Sequence, residues 1–425
     1  MIRRFLVYLF IVALAVVMGF VACIETQAQK KVEIRYWTFL QRGGQTPREL
    51  GETAIIEGFE KKYPNIKVRV EMVPWPEMDT KLITSVAAGR GPDVTRADSF
   101  RIREHLAANT LEDLRKYVSK MSVEERKDFL VWDEGLPGGK KPNFYLHHSC
   151  WALYYRKDLF QKGGLEPPNS WDDLVDVSKK LTTDKIWGFV QGMDRGQPGV
   201  TYTLWPMILG AGGNILENDK AVFNSAPAIK TLQFIYDLVY KHRVSPVDQL
   251  TYSYDNVMEG FMAGKFAMVI EGAHRYGHMQ TSAILKDNVG LTYIPSPVSG
   301  EPSPTLMSGW TLGIPVTSRH KDEAWKFIEY YVSAEAQLMN AKLAGELPVR
   351  RSVLNDPYFQ TKEAAAQRFF ALYLNTKSQP FPKSQNYGLL KDTFVMALHE
   401  ILTNRKTVQK ALDDAVAKYN EALKK

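Results

Sequence analysis

"VEIRYWTFLQRGGQTPRELGETAIIEGFEKKYPNIKVRVEMVPWPEMDTKLITSVAAGRGPDVTRAD" spans residues 32–98, and its rhythm decides the fold. "VEIRYWTF" (32–39) is a strand by its β-branched and aromatic content. "PRELGETAIIEGFEKKYPN" (47–65) carries Leu50, Ile55, Ile56 and Phe59 at helical spacing and is ended by Pro64-Asn65. "IKVRVEMVP" (66–74) alternates strictly as a second strand, "PEMDTKLITSVAAG" (76–89) is a helix stopped by Gly89 and Gly91, and "PDVTRAD" (92–98) is a third, short strand. Strand, helix, strand, helix, strand implies right-handed crossovers and a parallel sheet covered on both faces.

Further along, "NFYLHHSCWALYYRKDLF" (143–160) is extended and runs into a helix. "NSWDDLVDVSKKL" (169–181) begins a helix capped by Ser170, and "WGFVQGM" (187–193) is a strand. "NSAPAIKTLQFIYDLVYKH" (224–242) is an amphipathic helix capped by Ser225, and "DNVMEGFMAGKFAMVIEG" (255–272) is helix then strand, broken at Gly264. The chain then returns to strands, "VGLTYIPSP" (289–297) and "WTLGIP" (310–315), and finishes in helices over 322–345, 358–375, 387–404 and 406–424. This order implies an α/β fold of two interleaved lobes, each a mostly parallel sheet flanked by helices. The expected division is 30–143 with 273–331 for lobe 1, and 144–272 with 332–425 for lobe 2. Interleaving needs chain crossings that act as a hinge, and ligands favour such interfaces.

The length of 425 residues agrees, since a single core stops growing at roughly 250–300. The 9 Trp and 20 Tyr are residues useful in wet clefts. At the start, "MIRRFLVYLFIVALAVVMGFVAC" sets Arg3 and Arg4 before an apolar run from Phe5 to Ala22, the pattern of an export signal over residues 1–28. Cys23 after Ala22 is a candidate lipidation site, although Phe20 departs from the usual aliphatic residue there; "TQA" (26–28) offers an ordinary cleavage site instead, and an uncleaved anchor is the alternative to both. Removing residues 1–22 takes away two arginines and no acid, lowering the formal charge from +7 to +5, and no basic tract points to nucleic acid. The two cysteines build no disulfide framework, and Cys150 reads as a buried small hydrophobe.

Catalytic signatures are missing. There is no phosphate loop, dinucleotide fingerprint or G-x-S-x-G, so no cofactor is expected. His147-His148 is the only tight histidine pair, and neighbours on an extended chain face opposite ways, which makes them poor joint metal ligands. A glycosidase needs two carboxylates roughly 5–9.5 Å apart, and nothing in the sequence pairs any two.

Five phrases follow one another in order: "AAGRGPDVTRAD" (87–98), "WALYYRKDLFQKGGLEPPNSWDDL" (151–174), "FMAGKFAMVIEG" (261–272), "GWTLGIPVTSRHKDEAWKFIEYYVSAEAQ" (309–337) and "GELPVRRSVLNDP" (345–357). Together they resemble the family 1 extracellular solute-binding proteins of ABC importers, the group that includes maltose-binding protein. The resemblance implies a two-lobed periplasmic-binding-protein fold, monomeric and not an enzyme. Such a receptor works in the periplasm or outside the cell, lipid-anchored if Cys23 is modified, closes on a carbohydrate and presents it to membrane permease subunits.

A sugar needs hydrogen-bonding groups for its hydroxyls and flat rings for its C–H faces. On that basis the resemblance assigns ligand contacts to Trp37, to Gln41 in the loop after the first strand, to Trp75 between two prolines, and to Asp98 after the third strand. In the second lobe it assigns Tyr202 in "YTLWPMILGAGGN", with Trp205 on the same helical face in either core or cleft. "IEGAHRYG" (270–277) departs from the family, with His274 where an aromatic ring is common, so His274 or Tyr276 would have to stack. Arg350, Tyr387 and above all Trp310, with Gly309 leaving the backbone approachable, complete the candidates. The competing readings are a secreted carbohydrate-active enzyme and a same-fold receptor for a non-sugar solute. Arg96, Arg350 and Arg351 in the cleft would favour an anion.

Overall fold

The computed structural model describes residues 31–132, 136–196 and 199–424, so the export signal and Cys23 lie outside the described residues. The strands in chain order are β1 (Val32–Thr38), β2 (Ile66–Met72), β3 (Val94–Asp98), β4 (Asn143–Tyr145), β5 (Trp151–Arg156), β6 (Trp187–Val190), β7 (Leu216–Glu217), β8 (Lys220–Ala221), β9 (Phe266–Gly272), β10 (Val289–Thr292), β11 (Thr305–Met307), β12 (Trp310–Gly313) and β13 (Ser378–Pro380). The longer helices are α1 (Pro47–Lys62), α2 (Met78–Ala87), α3 (Trp171–Leu181), α4 (Gly199–Gly210), α5 (Ala226–Tyr240), α6 (Tyr254–Met262), α7 (Lys321–Tyr331), α8 (Ala334–Ala344), α9 (Ala365–Lys377), α10 (Tyr387–Leu402) and α11 (Val408–Ala422).

Two sheets carry the fold. The first has the order β2-β1-β3-β12-β4 and the second β10-β5-β9-β6. In the first sheet β1 runs parallel to β2 and β3, as the opening βαβαβ rhythm demands. β12 enters antiparallel between β3 and β4. In the second sheet only β6 and β9 pair in parallel, while β5 lies antiparallel to both β9 and β10. The expected parallel pairing therefore holds where a helical crossover links neighbours. Strands that arrive directly from the other lobe pair antiparallel, because no crossover helix reverses the chain.

The lobe boundaries shift accordingly. Residues 289–292, expected in lobe 1, pair with β5 in the second sheet. α8, expected in lobe 2, packs on α1 of lobe 1. That contact is close: a Cβ on Gly51 would stand 2.6 Å from Asn340 Oδ1.

Local chemistry explains α1. Thr46 and Glu49 form a reciprocal capping box, with Thr46 Oγ1 accepting from the Glu49 amide. Ile55, Ile56 and Phe59 are fully buried, whereas Leu50, expected on the same face, is 42% exposed. Ser170 caps α3 as expected, accepting from the Asp173 amide at 3.1 Å. Ser225 stands at the α5 N-cap, but its hydroxyl makes no capping bond.

Three segments run between the lobes: 146–150 between β4 and β5, the stretch around β11 before β12, and 345–350 after α8. They are knit together by bridges between His148 and Leu347 and between Ser149 and Ser308. Gly309 belongs to this knot. A Cβ there would lie 2.1 Å from the His147 carbonyl oxygen, so only glycine permits the approach. Lobe 1 also holds a fully buried ion pair, Arg96 to Glu52 at 2.7 Å, with Tyr36 accepting from Arg96 Nε at 2.9 Å. Arg96 is thus a core residue and faces no ligand.

Candidate functional site

The lobes face each other over a cavity of about 230 Å³ at the front of the crossings. Its apolar surface is aromatic: Phe39, Trp75 and Trp310 from lobe 1, Trp151, Tyr202 and Tyr254 from lobe 2. Trp310 begins β12, packs on Phe39 at 4.8 Å with the rings tilted by 58°, and is half-buried. Trp151 begins β5 and stacks on Tyr202 at 4.4 Å with 19° between the rings. Tyr254 opens α6 and accepts from Trp151 Nε1 at 3.0 Å and from the Gly272 amide at 2.7 Å.

Polar groups sit between the rings. Arg48 Nε donates to Glu346 at 2.7 Å, and Arg275 donates to Asp255. Trp75 Nε1 donates across the cleft to Asp255 Oδ2 at 3.2 Å, and Tyr202 donates across it to Asp98 Oδ2 at 3.4 Å. His274 Nδ1 is 3.0 Å from Ser149 Oγ. His147 Nδ1 lies 3.3 Å from the His148 carbonyl, a contact that only a protonated Nδ1 satisfies, so Nε2 is an acceptor. Three buried atoms on cleft-lining residues make no hydrogen bond within the protein: Arg48 Nη2, His147 Nε2, which lies 3.8 Å from Glu346 Oε1, and Arg275 Nε, which lies 4.0 Å from Glu271 Oε2.

The electrostatics keep the site close to neutral. Burial lowers His147 to about 4 and holds His274 well below the usual imidazole range. Burial, reinforced by Asp79, pushes Asp98 well above the usual carboxyl range. Burial pushes Glu271, behind Arg275, up to about 8. Burial opposes ionisation of Glu346 as well, but His147, Arg48 and Arg96 outweigh it and hold that carboxyl down to about 2. Each cleft arginine therefore meets a carboxylate, Arg48 at Glu346 and Arg275 at Asp255, leaving no unpaired cation for an anionic ligand.

Of the sequence candidates, Trp310, Gly309, Asp98, Trp75, Tyr202 and His274 converge on this cavity. The others do not. Trp205 is fully buried in the lobe 2 core, because the apolar, nearly all-buried α4 turns it inward. Trp37 is buried under lobe 1 and donates to Glu71 at 2.8 Å. Gln41 is exposed on its loop and does not line the cavity. Arg350 pairs with Asp128 at 3.2 Å and lies over the Phe129 ring, held away from the cleft. Arg351 is exposed on the far side of the crossings. Tyr387 is 2% exposed, its hydroxyl 3.1 Å from that of Thr201 and its ring 4.6 Å from Phe100. It borders only a separate depression beside the cleft, shared with Trp75 and Asp98. Tyr276 packs on Tyr154 and does not line the cavity, so His274 alone takes the place of the expected ring, as a polar group.

Sequence reasoning missed Phe39, Arg48, His147, Trp151, Tyr254, Asp255 and Arg275 as site residues. One signal pointed to some of them: His147 lies in a lobe crossing and Trp151 directly follows it, and residues at a crossing border the interface. Among the described residues, no cluster of three His, Cys, Asp or Glu side chains fits a metal ion.

Comparisons with known proteins agree with this geometry. The profile of the bacterial extracellular solute-binding protein family matches residues 43–338. Maltose-bound MalE3 of T. maritima superposes with a TM-score of 0.81 at 28% identity, covering 92% of this chain and all of that one (100%). A ribitol-bound solute-binding protein of an ABC transporter from Agrobacterium radiobacter gives 0.78 at 25% identity, covering 93% and 99%. The sn-glycerol-3-phosphate-binding periplasmic protein of Shigella flexneri is 22% identical over 424 residues, 94% of each chain.

Proposed function

The chain belongs to the bacterial extracellular solute-binding proteins, and from that premise we propose that it captures a small neutral carbohydrate between its lobes and delivers it to an ABC importer. The observation that carries this reading is the pairing of six aromatic rings with three polar atoms that make no hydrogen bond within the protein, all in one cleft. Rings of Trp310, Trp75 and Trp151 offer flat surfaces to C–H faces, while Arg48 Nη2 and Arg275 Nε donate to hydroxyl oxygens and His147 Nε2 accepts a hydroxyl proton. The cavity of about 230 Å³ lies below the roughly 300–1,000 Å³ of drug-sized ligand sites. It therefore fits one or two sugar rings or a polyol.

The carboxylates at Arg48 and Arg275 argue against a phosphorylated or uronic ligand, which would need an uncompensated cation. A carbohydrate-active enzyme is a weaker reading: Asp98 accepts from Tyr202 and Asp255 is taken by Arg275 and Trp75, so the protein itself engages both cleft carboxyls. Anchoring through Cys23 and function as a monomer complete the proposal; incorporation of labelled palmitate, abolished by Cys23→Ala, tests the anchor.

A thermal-shift panel of polyols, monosaccharides and disaccharides tests the main reading. A ligand at a hundredfold excess over its Kd stabilises by about 2.7 kcal/mol, a readily measured rise in Tm. A hit confined to amino acids, polyamines or anions sinks it, and product formation from the bound sugar would move the protein to the enzyme reading.

A further inference from the structure

A second cavity, of about 390 Å³, lies on the opposite side of the lobe crossings from the cleft. The extended crossing strands alternate their side chains between the two sides. His147 and Ser308 line the cleft, whereas their neighbours His148 and Met307 line this rear cavity. Its walls are mainly apolar, with Leu130 from lobe 1, Leu374 on α9 against the lobe 2 core, and Leu347 from the third crossing, while the exposed Arg351 also lines it. Asn355 and Asn375 stand exposed at its mouth.

His148 is the feature the sugar site does not explain. It is 3% exposed, and neither Nδ1 nor Nε2 has a protein partner. Burial holds it neutral, so one nitrogen donates and the other accepts. A neutral imidazole set in apolar walls is complementary to a molecule with an apolar body and one hydroxyl. An apolar cavity of roughly 150 Å³ already takes benzene, so this one has room for two fused rings.

We propose that this rear cavity is a second binding site, for a small neutral aromatic alcohol hydrogen-bonded to His148. Because the cavity is walled by both lobes and by the crossings, its width depends on the hinge. Rotation that closes the lobes over the cleft parts them at the rear, and the lobes here touch across the cleft through Trp75–Asp255 and Tyr202–Asp98. An occupant of the rear cavity holds the closed arrangement and raises affinity at the cleft, and by reciprocity a bound sugar raises affinity at the rear.

Fluorine NMR of the whole protein with 6-fluoro-2-naphthol tests the site. Saturable one-to-one binding is expected, about tenfold tighter than 2-fluoronaphthalene, which lacks the hydroxyl. Ala371→Phe on the half-buried cavity wall fills the space and should abolish binding. His148→Leu should retain the naphthalene and lose the preference for the hydroxyl. Absence of saturable binding, or binding unchanged by Ala371→Phe, overturns the site. The coupling rests on the carbohydrate reading: the probe at saturation should lower the Kd of the sugar found in the panel by about fivefold. An unchanged sugar Kd overturns the coupling, whereas failure of every sugar to bind would sink the carbohydrate reading and leave the probe result standing.

Discussion

Trp310 stands directly opposite Asp98 in the antiparallel register of β12 on β3, so both side chains leave the same face of the first sheet at the cleft. A flat ring and a carboxyl group thereby stand side by side at the cleft, and on the carbohydrate proposal one would meet a sugar's C–H face and the other its hydroxyls. Trp310→Ala should raise the sugar Kd about thirtyfold or more, in line with the roughly 2 kcal/mol that central aromatic anchors carry. Titration calorimetry reads this. The companion variant Trp205→Ala, deep in the lobe 2 core, should instead cost about 3–5 kcal/mol of stability by urea denaturation. If Trp310→Ala behaves like Trp205→Ala, the ring is core and the site is misplaced.

A hydrogen bond links the two lobes across the cleft. Trp75 Nε1 reaches Asp255 at 3.2 Å, and Asp255 is also held by Arg275. Trp75→Phe retains a ring and removes the donor, a loss of about 1 kcal/mol in the closed form. The sugar Kd should rise about fivefold while the melting temperature of the unliganded protein stays nearly constant. Equal losses in both measurements would mean that the bond stabilises a lobe and does not latch the cleft.

Much of this was legible in the sequence, for identifiable reasons. Strict alternation located β2, β-branched and aromatic content β1, helical spacing α1 and glycine stops the end of α2, because each is a local property of the chain. The lobe membership of β10 and α8 was not legible, since pairing with β5 and packing on α1 are long-range events with no local mark. Trp310 and Asp98 were singled out by the family resemblance, and both line the cavity between the lobes. Trp37 and Trp205 carried the same residue type, and only their neighbours decided for burial. Arg48 and Tyr254 sit in the first turns of α1 and α6 and looked like ordinary helix-start residues until the lobes faced each other.

Arg96 offers a test of what is structural and what is functional. Its guanidinium is 0% exposed, paired with Glu52 at 2.7 Å and bonded to Tyr36 and Tyr331. Arg96→Ala leaves the Glu52 carboxylate buried and uncompensated, and should destabilise by about 3–5 kcal/mol. In the fraction that remains folded at low temperature the sugar Kd should be unchanged. A selective loss of binding to charged ligands would restore Arg96 to the cleft and revive the anion reading.

Glu271 should leave a signature in the pH dependence of stability. Its carboxyl is fully buried and is pushed from 4.5 to about 8 by burial, against the opposing charge of Arg275. Below pH 4.5 both folded and unfolded chains hold this proton. Between 4.5 and 8 the unfolded chain releases it and the folded chain keeps it, so stability falls as pH rises, by at most about 1.4 kcal/mol per pH unit. His147 acts in the other direction. Its folded value of about 4 lies below the ordinary 6.5, so its contribution is present above pH 6.5 and is lost as pH drops toward 4. The two slopes oppose each other between 4.5 and 6.5, and Glu271 acts without His147 between 6.5 and 8. Glu271→Gln keeps the shape while removing the titration. Urea denaturation of both proteins at half-unit steps from pH 6.5 to 8 should show the wild-type slope and a flatter profile in the variant. Parallel profiles would mean that Glu271 ionises normally and that water reaches it behind Arg275.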